Sequence, residues 1–243
     1  MSEFLLKLND GDLVALVVLF LSLFLYEPIS KAIFGKNISS QMMLWRKAWA
    51  TQMLWRHERI TDVSLVRGLI HNVSFFATTT VFVISGLVAL LGASHSITEK
   101  LNSFSYLNGT TEEAVVLKIT SLLIIMVIAF FEFAWSMGLH ANSLLMLGSA
   151  PEPSEKDSKA TSLVVNKLSE MSVLASYHFQ YGVRAYYFGI SSLAWIIHPY
   201  VFYAVFLIVI LIILRREFFS RAFDITSMED IEWPTSDSST GSR

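Results

Sequence analysis

The chain has no cysteine and few charges. The first absence excludes disulfides, Cys-ligated zinc, iron–sulfur clusters and thiol catalysis. The second is more telling. Only 16% of the 243 residues are charged, where an average soluble domain carries about 25%. With a net charge of −2, no overall basic field draws nucleic acid, and no nucleic-acid partner is expected. Catalytic signatures are missing too. There is no P-loop, no Gly-x-Ser-x-Gly and no dinucleotide fingerprint, and His57-Glu58 lacks the second histidine of a zincin. No catalytic residue, metal site or cofactor is therefore assigned, and no enzyme is expected. Haem b needs no attachment motif, but His71, His140 and His198 form no pair at a shared depth on two helices. Inward packing is the favoured reading of all three.

What the chain does have is long apolar runs. Hydrophobic residues make up 53% of it, and mean hydropathy is +0.54. Four stretches, 13–34, 68–93, 115–148 and 185–214, exceed the roughly 20 residues that a bilayer core requires. Such spans must be helical, because lipid offers backbone groups no partner. The expected fold is an all-α membrane protein: four transmembrane helices with an amphipathic interfacial helix in the first loop. The expected division is an N-terminal extension (1–12), a transmembrane domain (13–222) and an acidic, disordered tail (223–243). Asp10 and Asp12 are cap candidates for the first span. That span does not read as a signal peptide, having a single Lys7 before it and no small-residue cleavage site. The third loop opens with Pro151 and Pro153 and runs polar through Thr161, the expected flexible stretch.

Loop charges suggest an orientation. Loop one carries Lys36, Arg46, Lys47, Arg56, Arg59 and Arg67, and loop three carries Lys156, Lys159, Lys167 and Arg184. Loop two has only Lys100 beside Glu99, Glu112 and Glu113. The positive-inside rule then places loops one and three in the cytoplasm and both termini outside, in a multi-pass inner-membrane protein. Arg215, Arg216 and Arg221 conflict with this, because a single fourth span carries them outward. Within loop one, Met42, Trp45, Trp49 and Met53 recur at helical spacing between Arg46, Lys47 and Arg56. That pattern reads as an anchor lying in the interface, carried by Trp45, Arg46, Trp49 and Arg56.

Glu132 lies inside the third span, where a carboxylate is costly unless it faces protein or water. Residues three or four apart share a helix face. On that rule Glu132, Ser136, His140 and Ser143 form one stripe, with Lys118 and Ser121 extending it outward. His71, Ser74, Thr78 and Ser85 form another, and Arg184, Tyr187, Ser191, Ala194 and His198 a third. Helical rise brings Glu27, Thr78, Glu132, Ser136, His140, Arg184 and Ser191 toward one polar layer, a possible ion path. His71, Tyr187 and His198 are further candidates. The competing reading is a set of hydrogen bonds that fixes helix register. Pro28 and Pro199 are expected to kink their helices.

Three phrases carry a resemblance. They are RITD at 59–62 leading to VSFFATTT at 73–80 and ALLG at 89–92; FFEFAWS at 130–136 closing on GSAP at 148–151; and RAYYF at 184–188 followed by His198-Pro199 and RREF at 215–218. Together they resemble the membrane family catalogued as domain of unknown function 599, over roughly residues 13–222. The resemblance implies about four spans and no reaction. In the family phrase a lysine stands at position 132, a basic residue at 138 and an aromatic one at 140. The resemblance therefore implies a charged position at 132 rather than a fixed acid. The function expected is a small homo-oligomeric channel or transporter for ions or a small solute, with the lipid bilayer as its other partner. The alternative is a non-transporting membrane adaptor or assembly factor, its protein partner unknown.

Overall fold

A computed structural model describes residues 9–104, 110–155 and 159–227. The described residues are all-helical. They form α1 (Asp10–Phe34), α2 (Ile38–Met53), α3 (Ile60–Gly92), α4 (Ser94–Asn102), α5 (Glu112–Gly148), α6 (Lys159–Ile197), α7 (Pro199–Phe218) and α8 (Arg221–Thr226). Three of them, α1, α3 and α5, are long and apolar enough to cross a membrane. The acidic tail expected to be disordered lies, from residue 228 on, outside the described residues, as do 156–158 of the stretch expected to be flexible. α4 occupies the first part of loop two.

Local chemistry sets the helix ends. The Asn9 side chain caps α1, and Asp10 and Asp12 sit inside its first turn instead of preceding it. α1 continues unbroken through Pro28 and stops at Gly35, whose φ of 75° suits a residue without a Cβ. Asn37 and Ser40 form a capping box on α2.

The expected fourth span, 185–214, is not one helix. Pro199 has no N–H to donate and forces His198 into an extended conformation, φ −162° and ψ 146°. Pro199 then opens α7 at its first turn, with His198 Nδ1 accepting from the Tyr200 N–H at 3.2 Å. The chain reverses there. Trp195 meets Phe202 at 5.8 Å between ring centroids, Phe188 meets Phe206 at 5.9 Å, and Arg184 faces Glu217 at 3.9 Å. Sequence separation grows steadily away from the turn, so α6 and α7 are antiparallel. Proline ends the span rather than bending it.

The reversal moves the C-terminal segment. α1 runs beside α7, with Gly11 near Tyr203 and Tyr26 near Glu217. Arg215, Arg216 and Arg221 therefore lie at the same end as loops one and three. The described N- and C-terminal ends sit at opposite ends of the bundle, against the expectation that they share a side. The conflict in the charge count came from the missing turn.

α5 packs antiparallel to both α3 and α6, which run parallel to each other, and the three form the centre. Phe76 meets Phe133 at 5.5 Å, Ser136 donates to the Ala175 carbonyl at 2.6 Å, and Thr80 pairs with the Tyr186 hydroxyl at 2.7 Å. Gly182 and Gly189 permit the closest approach of α5 to α6. A Cβ on them would lie 2.6 Å from the Phe133 ring and 2.5 Å from the Met126 methyl. The outer faces remain apolar: Val17, Leu21 and Phe24 on α1, Phe82 on α3, Phe131 on α5 and Ile208 on α7 are all exposed. In water such a belt is unstable; in lipid it is the ordinary surface.

The long helices outrun a bilayer. α3, α5 and α6 have 33, 37 and 39 residues, about 50 to 58 Å at 1.5 Å per residue, against a hydrocarbon core of about 30 Å. At the basic end their extensions gather a second apolar core of Ala50, Met53, Leu54, Val66, Leu147, Val165 and Leu168. α2 belongs to that core. It runs antiparallel along α6, Ser39 donating to Gln180 and Arg46 to Ser172 at 3.0 Å. The residues expected as interfacial anchors make hydrogen bonds within the protein. Trp45 Nε1 donates to the Thr226 carbonyl at 2.9 Å, and Trp49 Nε1 to Asp62 at 2.9 Å. Arg56 binds the same Asp62 carboxylate, which is buried.

Candidate functional site

Polar groups in the bundle collect at two levels separated by an aromatic core. At the end holding loop two, Lys118 meets Asp12 at 3.3 Å, and both are 5% exposed. The Trp195 indole donates to Asp12 at 2.7 Å, and the Tyr203 hydroxyl donates to the Gly11 carbonyl. Asp12 to Glu27 is fifteen residues of α1, roughly 22 Å of rise. Between these levels sit Ile125, Phe133, Phe188, Trp195 and Phe202, all fully buried or nearly so.

The second level, at the basic end, is richer. Glu27 is 8% exposed and Arg184 7%. Arg184 Nη2 donates to Glu27 Oε2 at 3.0 Å, and Lys31 binds the other Glu27 oxygen. Glu217 reaches the same guanidinium from α7, and the Tyr26 hydroxyl donates to Glu217 at 3.2 Å. Removed from water, each charge here requires an opposite charge or a hydrogen bond.

A cavity of about 530 Å³ opens against this level. Arg46 and Ser39 of α2, His71 and Phe75 of α3, His140 of α5, Arg184 and Tyr187 of α6, and Arg216 and Glu217 of α7 line it. A smaller cavity of about 220 Å³ lies beside it, lined by Glu27, Lys31 and Tyr177, and shares Ser39, Arg46 and Gln180. The two together hold Lys31, Arg46, Arg184 and Arg216 against Glu27 and Glu217, four cations to two carboxylates. Burial pushes the Arg46 guanidinium below its ordinary pKa, with no acid opposing that shift. Arg216 donates to the Tyr187 hydroxyl. Two buried atoms of the lining have no hydrogen-bond partner among the described residues: Arg184 Nε, and Nδ1 of His140, which is 2% exposed. A native interior seldom leaves such atoms unsatisfied.

The expected site residues are thus divided. Glu27 and Arg184 meet directly, while His71, His140, Arg184 and Tyr187 share one cavity. Glu132 is elsewhere: its side chain is 24% exposed and pairs with His178 Nδ1 at 2.7 Å. Ser136 and Ser191 are buried but spend their hydroxyls on the carbonyls of Ala175 and Phe188. Thr78 faces outward, as does Ser85. The buried stripe of α3 includes Val66, Val73, Ala77, Thr80 and Leu87, so Thr78 and Ser85 of the polar stripe expected on this helix lie on its outward face, while His71 lines the cavity. Thr79 and Ser85 satisfy their hydroxyls on carbonyls four residues back, which is how such groups survive in lipid. His198 caps α7 and stacks on Tyr200.

Sequence reasoning missed Glu217, Tyr26 and Lys31, and missed the Asp12–Lys118 pair. Glu217 was legible only through the reversal at Pro199. A lysine inside an apolar run and an aspartate at the head of another were visible signals for the second pair.

Fold and site define a class: an all-helical membrane-type bundle with an aromatic core and a basic cavity at one end. The chain belongs to the family described as "Protein of unknown function, DUF599", whose model matches residues 14–222. No curated protein and no solved structure matches it.

Proposed function

We propose that this protein is a membrane-embedded carrier or binding protein for a substrate that presents an anionic group to the basic cavity. The observation that carries this reading is the cavity itself, with its excess of cations and its two buried nitrogen atoms that lack a hydrogen-bond partner among the described residues. Fixed guanidinium groups suit phosphate and carboxylate, which accept several charge-assisted hydrogen bonds at once.

The site lies toward one end of the bundle. Phe133, Phe188, Trp195 and Phe202 fill the centre of the chain, which favours a carrier over an open channel within one subunit. Flow of ions would need a path between copies of a homo-oligomer. In this reading the C-terminal part of α6 and α7 each cross the bilayer, giving five crossings where the sequence suggested four. The basic end, with loops one and three and the C-terminal segment, faces the cytoplasm of an inner-membrane protein, and the N-terminus lies outside. α2 sits beneath the membrane rather than flat in its interface, and no chemical step is assigned.

The test is ligand-dependent thermal stabilisation of the purified full chain in neutral detergent. Phosphate-bearing compounds, both soluble and lipid, are compared with neutral ones. Stabilisation by at least one anionic class, reduced in Arg46→Gln and unchanged in Glu132→Gln, is expected. Equal response to neutral compounds, or no response to any anion, sinks the reading.

A further inference from the structure

Three walls of the cavity, on α3, α6 and α7, repeat one arrangement. On α3, His71 is followed one turn toward the membrane centre by Phe75. On α6, Arg184 is followed by Tyr187, and on α7, which runs the other way, Arg216 is preceded by Ile213. These three walls each put a cation, or an imidazole, one turn outward from an apolar or aromatic side chain, a step of about 5 Å; α2 adds Arg46 and α5 adds His140. The cavity is polar at its floor and apolar at its throat.

The apolar throat continues along α6. Val183 and Tyr187 line the cavity, and Ile190 and Ala194 follow on the same helix face at intervals of three or four residues. Ile190 is exposed and Ala194 half-buried. His71 and Phe75 on one rim and Arg216 on the other are exposed as well. The cavity thus opens sideways, and from it an apolar track rises along α6 toward the middle of the membrane. A soluble anion needs the floor alone. A molecule with a charged head and a hydrocarbon chain uses both.

We propose that the cavity is the headgroup site of an anionic phospholipid. Its phosphate is held among Arg46, Arg184 and Arg216, and an acyl chain lies along Val183, Tyr187 and Ile190. This rests on the anion-binding reading above. The lipid enters from the leaflet at the basic end, and no passage through the aromatic core is required. His140 Nδ1 and Arg184 Nε, buried at the floor without hydrogen-bond partners, supply the remaining polar contacts for phosphate or glycerol oxygens. The chemistry demands a negative head, because three guanidinium groups face one carboxylate in this cavity.

Native mass spectrometry of the full chain from neutral detergent tests the proposal. Phosphatidylglycerol, phosphatidylcholine, glycerol phosphate and inorganic phosphate are added separately. One equivalent of phosphatidylglycerol is expected to bind about tenfold or more tightly than phosphatidylcholine. Arg46→Gln and Arg216→Gln should each weaken it by about five- to tenfold. Arg215→Gln removes the same charge from an exposed neighbour that does not line the cavity, and it should leave binding unchanged. Arg184 is not the test residue, because its loss strands Glu27. If glycerol phosphate or inorganic phosphate binds as tightly as the lipid, the lipid proposal fails while the anion-binding reading stands. If phosphatidylcholine matches phosphatidylglycerol, or Arg215→Gln weakens binding as much as Arg216→Gln, the headgroup site is refuted. If none of the four binds, both readings fall.

Discussion

Replacing Arg184 with methionine tests the packing argument most directly. The side chain is 9% exposed and sits between two carboxylates, 3.0 Å from Glu27 and 3.9 Å from Glu217. Methionine keeps much of the volume and removes the charge. Glu27 then retains only Lys31, whose side chain is 48% exposed and therefore screened by solvent. Glu217 retains the Tyr26 hydroxyl. Removing one member of a buried pair costs about 3 to 5 kcal/mol, because the other charge stays buried without compensation. The lower figure applies, since Lys31 still reaches Glu27. A loss of about 3 kcal/mol corresponds to a fall of roughly 6 to 12 °C in the unfolding midpoint of a chain this size. The assay is thermal unfolding in neutral detergent, followed by the fluorescence of the six tryptophans. Adding Glu27→Gln and Glu217→Gln to Arg184→Met should recover most of the loss, because no buried carboxylate is then left without its guanidinium partner. A single variant that loses under about 1 kcal/mol, or a triple variant no more stable than the single one, refutes the reasoning.

Other outcomes follow from particular contacts. Gly182→Val places a side chain against the buried Phe133 ring, with an expected cost of about 2 to 3 kcal/mol. In a Phe133→Ala background the same change should cost less, and a Gly182→Val protein as stable as the parent contradicts the close approach of α5 and α6. Thr80→Val removes the hydrogen bond to Tyr186 and should cost about 1 kcal/mol, whereas Thr78→Val, on the exposed outward face, should stay within about 0.5 kcal/mol; the reverse order in denaturant unfolding would restore the face first expected. The absence of cysteine makes topology simple to map. Single cysteines at Ser103 and Arg221 should react with an impermeant thiol reagent from opposite sides of sealed vesicles, and labelling from one side only would overturn the reversal at His198.

By itself, the sequence determined that the chain is helical, apolar and built for a membrane. Runs of more than twenty apolar residues have no other stable form in lipid, and that constraint acts locally. The same local logic located the basic end, because loop charges are countable. Family membership was legible too, in short phrases such as RITD at 59–62. Asp62 of that phrase holds Trp49 and Arg56, and Arg59 binds the carbonyls of Ala150 and Pro151.

Tertiary structure decided the rest. A proline in an apolar run can kink a helix or end it, and only the partners of Trp195, Arg184 and Glu217 show that Pro199 ends it. A polar residue on a helix can face the bundle or return its hydroxyl to its own backbone. Thr78 and Ser136 look alike in sequence, yet one faces outward and the other is fully buried. Glu132 drew attention as a lone charge, but His178 answers it at the rim of the bundle. The demanding charges are Glu27, Arg184 and Glu217, brought together from three helices. Their separations along the chain reach 190 residues, and no local rule spans that distance.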